Sequence, residues 1–211
     1  CNASRSVLLP GFIGLTLVAA VCGATEPVAG YVYGFGGTSG EGTTDITTDS
    51  AGNVYSTGYF GGVVDFDPGI DHYFLNGYES EVFVRSLDPA GQLRWAQALP
   101  FEGRLMPPSI AVSGDGSIYG GGNFELSVDG DPGPESYLLE SAGDRDGVVW
   151  KWDSEGNFEW ARTISGPQRV EVVAIDGKAT FTAQARFWAR WTSIQGPGSL
   201  NSPVTARRIY S

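Results

Sequence analysis

The chain repeats itself. Residues 46–60 read ITTDSAGNVYSTGYF, and residues 110–124 read IAVSGDGSIYGGGNF. At a spacing of 64, Gly52 falls on Gly116, Tyr55 on Tyr119, Gly58 on Gly122 and Phe60 on Phe124. The match runs on through VDFDPG (64–69) against VDGDPG (128–133), then Tyr73 on Tyr137 and Leu75 on Leu139. After one inserted residue it resumes at a spacing of 65, with EVFVRSLDPAGQLRWAQAL (81–99) against DGVVWKWDSEGNFEWARTI (146–164). A fixed long period marks a repeat architecture, in which one supersecondary unit per copy buries its apolar faces against neighbouring units.

Each copy reads as four strands. In the first copy these fall at about 44–48, 54–60, 81–87 and 93–99. A turn on Asp49, Gly52 and Asn53 joins the first two, and one on Asp88-Pro89-Ala90-Gly91 joins the last two. Asp and Asn bond their own backbone, Pro fixes φ, and Gly accepts positive φ, so these are turns with a mechanism. The 31 Gly and 12 Pro of the chain suit many short strands and tight turns rather than helices. Four antiparallel strands per repeat is the plan of one propeller blade. The expected fold is therefore all-β: a β-propeller of four-stranded antiparallel blades, with about three repeats of 64–65 residues.

The flanks extend the pattern. YVYGFGG (31–37) stands 64 residues before WAQALPF and reads as a lone last strand. VVAIDGKATFTAQARF (172–187) resembles two opening strands, and VTARRIYS (204–211) a third. The expected organisation is a signal peptide at 1–24, a short linker at 25–30, a last-strand copy and connection at 31–43, blades at 44–99 and 100–164, and a partial blade at 165–211. Propellers close with four to eight blades. Three leave an incomplete ring with two apolar sheet faces exposed, so missing blades or self-association are expected to complete it, with Tyr31–Phe35 pairing beside the segment that ends at Tyr210.

The stretches DSAGNVYSTGYF, VDFDPG, EVFVRSLDPAG and LRWA together resemble the bacterial β-propeller repeat family known as SBBP. The resemblance covers about 31–211 and is weakest in the third copy, which lacks D-x-D-P-G. It implies a large exported protein and supplies no catalytic residues.

The N-terminal segment bears on location. VLLPGFIGLTLVAAV (7–21) is an uncharged apolar run after Arg5, followed by CGAT. A basic start, a short apolar core and small exit residues describe a secretory signal peptide, with cleavage expected after Ala24. A retained anchor, lipidation at Cys22 and a buried strand or helix of the domain are the alternatives. The run is too short, and too interrupted by Pro10 and Gly11, to read as a membrane span, so no span is expected in the mature chain. The first residue is Cys, and the chain is expected to be a piece of a longer protein. Its expected location is secreted or at the cell surface.

Charge and residue counts exclude several chemistries. Net charge is −11, which repels nucleic acid and anionic lipid. Cys1 and Cys22 both precede residue 25, so the body has no disulfide or thiolate metal site. His72 is the single histidine, which rules out a multi-histidine metal centre.

The candidate site is D-x-D-P-G, present as Asp65/Asp67 and Asp129/Asp131. Alternate residues of a strand share a face, so each pair presents two carboxylates together, and a hard cation such as Ca²⁺ takes several oxygen ligands. Asp71 or Glu135 is positioned to add another. Asp-Pro-Gly is also an ordinary turn former, and with no EF-hand spacing and no bidentate Glu at a fixed offset the turn is the preferred reading. Trp95 and Trp160 recur and read as packing residues; Trp150, Trp152, Trp188 and Trp191 do not all recur and are candidates for sugar stacking. The glycines at 34–40 and 120–122 lack the Lys-Ser/Thr partner of a phosphate loop. Asp144 and Asp146 read as a solvated turn. Repeats without a unique polar constellation point to a non-enzymatic scaffold or binding module for a protein or glycan ligand, with no cofactor beyond a structural Ca²⁺. The alternative is a fragment of a secreted propeller enzyme, a lyase or hydrolase, whose site is not visible in this sequence; the one unique histidine, His72, has Ser136 as its counterpart.

Overall fold

The computed structural model describes residues 15–19, 29–34, 40–99, 101–102, 106–133, 136–142, 144–165, 170–175, 181–185 and 193–195. These residues form sixteen strands and no helix, so the protein is all-β with antiparallel sheets. The chain divides into two compact units, Cys1–Ala98 and Leu99–Ser211.

In the first unit, β1 (Leu15–Ala19) pairs antiparallel with β2 (Ala29–Gly34). The apolar N-terminal run thus contributes a strand, and β2 has β1 as its described partner; residues 204–211 lie outside the described residues. The main sheet is a meander, β3 (Gly42–Thr48), β4 (Val54–Asp65), β5 (Phe74–Leu87) and β6 (Leu93–Leu99), each bonded to the next. β3 and β6 fall where the turn chemistry places them. β4 and β5 are longer than the alternation indicates, because pairing runs on past a register shift between Phe60 and Gly62 and through Val63↔Asn76, Val64↔Leu75 and Asp65↔Phe74. The sequence between the second and third strands is therefore a hairpin rather than an irregular connection.

The second unit repeats the meander with β8 (Met106–Val112), β9 (Ile118–Phe124), β12 (Asp146–Trp152) and β13 (Phe158–Ser165). Pro107 and Pro108 lie in β8, an edge strand, where a missing N–H is tolerated. The counterpart of the long hairpin is a separate small sheet of β7 (Phe101–Glu102), β10 (Ser127–Asp129) and β11 (Leu138–Glu140). β14 (Val170–Ile175) and β15 (Phe181–Ala185) pair as the two opening strands of a third copy. β16 (Ser193–Gln195) adds to the free edge of β13, an addition the repeat pattern did not indicate.

The hairpin turns share one geometry. Asp49, Asp88 and Asp153 each accept two backbone N–H groups through Oδ1, from Ala51 and Asn53, Ala90 and Gln92, and Glu155 and Asn157, at 2.8–2.9 Å. Ser113 takes that place in the fourth turn; its hydroxyl bonds Asp115, whose Oδ1 accepts the Ser117 N–H at 3.0 Å. Gly52, Gly91, Gly116 and Gly156 follow with φ of 83–88°, the left-handed residue that closes a type I turn with a bulge.

Core residues lie on both faces of each meander. On β5, Phe83 and Leu87 point one way and Val82 and Val84 the other, and all are buried. On β12, Val148, Trp150 and Trp152 alternate with Val149 in the same manner. The exposed apolar sheet faces expected of an incomplete ring are not seen on these strands. In the second unit β14 packs on β8, β9 and β12, which accounts for part of the cover.

Candidate functional site: the paired aspartate hairpins

The two D-x-D-P-G segments fold alike. Asp65 Oδ1 accepts the backbone N–H of Asp67 at 3.1 Å and of Tyr73 at 2.9 Å. Asp129 Oδ1 accepts those of Asp131 at 3.1 Å and Tyr137 at 2.8 Å. Asp67 and Asp131 each take the N–H of the following glycine, Gly69 or Gly133, at 2.7 Å. The loop is closed by a backbone bond, Phe66 N–H to the Tyr73 carbonyl at 2.9 Å and Gly130 N–H to the Tyr137 carbonyl at 2.8 Å. The sequence folds this way because a carboxylate two residues ahead of an amide completes an Asx turn, and Pro presets φ for the next one.

The first copy has one addition. Asp65 Oδ2 meets His72 Nδ1 at 2.6 Å, and the imidazole stacks on Phe74 with centroids 5.4 Å apart at 22°. Burial pushes the Asp65 pKa up, but the Tyr73 and Asp67 amides and the His72 ring outweigh it and leave it lowered. Ser136 occupies the place of His72 in the second copy. The first pair thus keeps an ionised carboxylate on a solvent-facing hairpin, with its donors already aimed at it.

Asp65 and Asp129 end β4 and β10, and Asp67 and Asp131 stand in the loops that follow, so the alternation of a strand does not carry through either pair. Their oxygens serve as anchors for the chain's own amides, so a cation would compete with those N–H donors for the same lone pairs. Among the described residues no group of three or more His, Cys, Asp or Glu is placed to hold a metal. Glu135, the acid expected to assist the second pair, lies outside the described residues.

Other sequence candidates resolve differently. Trp150 and Trp152 are fully buried and stack on one another at 6.4 Å, so neither is a surface platform for a sugar. Trp95 lies 6.2 Å from Tyr55 and Trp160 lies 6.3 Å from Tyr119, the same tilted pair in each copy. Trp188 and Trp191 lie outside the described residues. Gly120–Gly122 run along the middle of β9, where a Cβ on Gly120 would sit 2.9 Å from the Trp152 ring. Asp144 is exposed, but Asp146 is not a solvated turn residue. It opens β12, is fully buried, and accepts the Ala142 N–H at 2.7 Å. Beside it, the buried Arg145 pairs with Glu125. Spacing alone hid this, because burial of Asp146 depends on its pairing with Phe124 across β9.

No family model matches the chain, and no solved structure matches it. Over 128 residues it is 27% identical to a regulatory protein, FlaEY, of Caulobacter vibrioides. That match takes in 61% of this chain and 13% of the other protein, so the chain spans a small part of that relative's length.

Proposed function

We propose that the chain is a run of β-propeller blades of the exported bacterial SBBP type, acting as a scaffold or binding module and not as an enzyme. Recurrence carries this reading. The same four-strand meander, the same turns and the same anchored aspartate hairpin occur in both copies, and a feature that recurs serves the architecture of the repeat. A catalytic centre needs residues that one blade has and its siblings lack. Burial of both faces of each meander supports sheets that stack face to face, as blades do. The match to a protein named as regulatory fits a non-catalytic role.

Size-exclusion chromatography with light scattering, run on this chain and on a longer chain carrying further repeats, tests the architecture. The expected outcome is that added repeats give a compact monodisperse particle. A particle that elongates steadily with each repeat would replace the ring with an open array. Export is tested by N-terminal sequencing of the secreted protein, with cleavage expected after Ala24; that cut removes β1 and leaves β2 without the partner it has in the uncleaved chain.

The enzymatic reading rests on the one unique pair, His72 with Asp65. Lyase or hydrolase turnover on a glycan or peptide array that is abolished by His72→Ala would overturn the scaffold reading; binding without turnover supports it.

A further inference from the structure

Among the residues whose side chains are described, every large apolar side chain that is exposed lies in one of two places. One is the hairpin from Tyr59 to Phe74, where Ile70 is 96% and Phe74 61% exposed. The other is its repeat counterpart, where Leu126 is 67% and Leu138 59% exposed. Phe74 and Leu138 hold the same position in their copies, 64 residues apart. Each stands directly across the ladder from the anchoring aspartate, Asp65 or Asp129. The other face of each hairpin is closed, with Val64 and Phe66 buried in the first and Val128 and Leu139 in the second. One face of each hairpin is therefore committed to the core and the other presents apolar side chains to solvent. Surfaces of that kind mark interaction sites.

Acidic residues predominate along both hairpins, although Glu125 among them is already paired with Arg145. Residues 61–74 hold Asp65, Asp67 and Asp71, and residues 125–140 hold five acids; neither stretch contains Lys or Arg. A second copy of this chain would set the same acidic hairpins against each other if it met like with like. We infer that each hairpin is a docking surface for a basic protein segment in which Arg or Lys alternates with large apolar residues. Its apolar side chains cover Phe74 or Leu138, and its cations meet the aspartates at the rim. This inference rests on the binding-module reading above and names the partner of that module.

The test uses two peptides of equal charge, one alternating arginine with leucine and one alternating arginine with serine, titrated into the whole chain by calorimetry and by NMR. The arginine–leucine peptide is expected to bind at least about tenfold more tightly, since burying one large apolar side chain supplies that much. Amide shifts are expected at 63–74 and 126–138, and added salt is expected to weaken binding. Ile70→Ser with Phe74→Ser is expected to abolish the shifts at 63–74 and leave those at 126–138, which also shows that the variant is folded. Equal binding of the two peptides, shifts confined to other residues, or binding untouched by the double substitution would overturn the inference. So would concentration-dependent self-association that Ile70→Ser/Phe74→Ser removes, because the surface would then belong to a second copy.

Discussion

Gly62 and Leu126 occupy the same place in their repeats and the same left-handed backbone region, with φ of 70° and 64°. A glycine enters that region freely, whereas a leucine carries a Cβ that crowds the neighbouring carbonyl. Leu126 is held there by its carbonyl, which accepts the Ser141 N–H at 2.8 Å, and by the ion pair of its neighbour Glu125 with Arg145. Leu126→Gly is expected to raise stability by about 0.5–1 kcal/mol, and Gly62→Leu to lower it by about 1–2 kcal/mol. Denaturant midpoints of the two variants check the opposite signs.

Gly58 is required by contact rather than by φ. A Cβ there would lie 1.9 Å from the Gly42 carbonyl oxygen and 2.8 Å from Thr43 Cα, both backbone atoms of the adjacent β3. Backbone in a paired strand cannot step aside cheaply, so Gly58→Ala is expected to cost about 3 kcal/mol or to detach β3. Gly40→Ala, with nothing within 4 Å, is the control and is expected to be neutral. Thermal melts of the two variants check the contrast.

Asp65 and Asp129 are expected to behave as independent anchors of the same kind, with the His72 contact an addition at Asp65. Removing either leaves two backbone N–H groups without their acceptor, so Asp65→Ala and Asp129→Ala should each cost about 1–3 kcal/mol. The two sites lie in different sheets, and the double variant should show the sum. Calorimetry with Ca²⁺ is expected to give the same heat for the native chain and for Asp65→Asn/Asp129→Asn. Heat lost in the variant would assign a cation to the hairpins.

Acid sensitivity should follow the turn carboxylates. The Asp115 pKa is brought down from 3.8 to about 2 by the Ser113 hydroxyl and the Ser117 amide. At Asp49 and Asp153 burial pushes upward, but bonds from Asn53 and Asn157 outweigh it and both are lowered. A carboxylate whose folded pKa lies below its unfolded value stabilises the fold above the unfolded value, and that stabilisation is lost as pH falls through the folded one. Stability is therefore expected to be flat from neutral pH to about 5 and to fall steadily between about 4 and 2. Asp115→Asn should flatten part of that fall. Denaturant midpoints measured across this range check both.

The turns and the strands they join were legible because their causes are local. Asp49, Asp88 and Asp153 bond amides two and four residues on, and the glycines at 52, 91, 116 and 156 supply the one backbone conformation that closes each turn. The aspartate hairpins were legible as recurring turn formers for the same reason. Their strand character was not, because it depends on the partner strand across the register shift at Gly62.

By itself, then, the sequence determined the repeat, the all-β class and the position of each tight turn, since those rest on contacts within a few residues. Tertiary structure decided what faces what. It set Gly120 opposite Trp150 in one copy and Ser56 opposite Arg85 in the other, so that the copy with the bulkier side chain at that place keeps the smaller neighbour. It buried Asp146, left Phe74 and Leu138 in solvent, and laid β16 along β13. Each of these is fixed by pairing between residues distant in sequence, and the volume and hydrogen-bonding capacity available at such a position exist only once the sheet has formed.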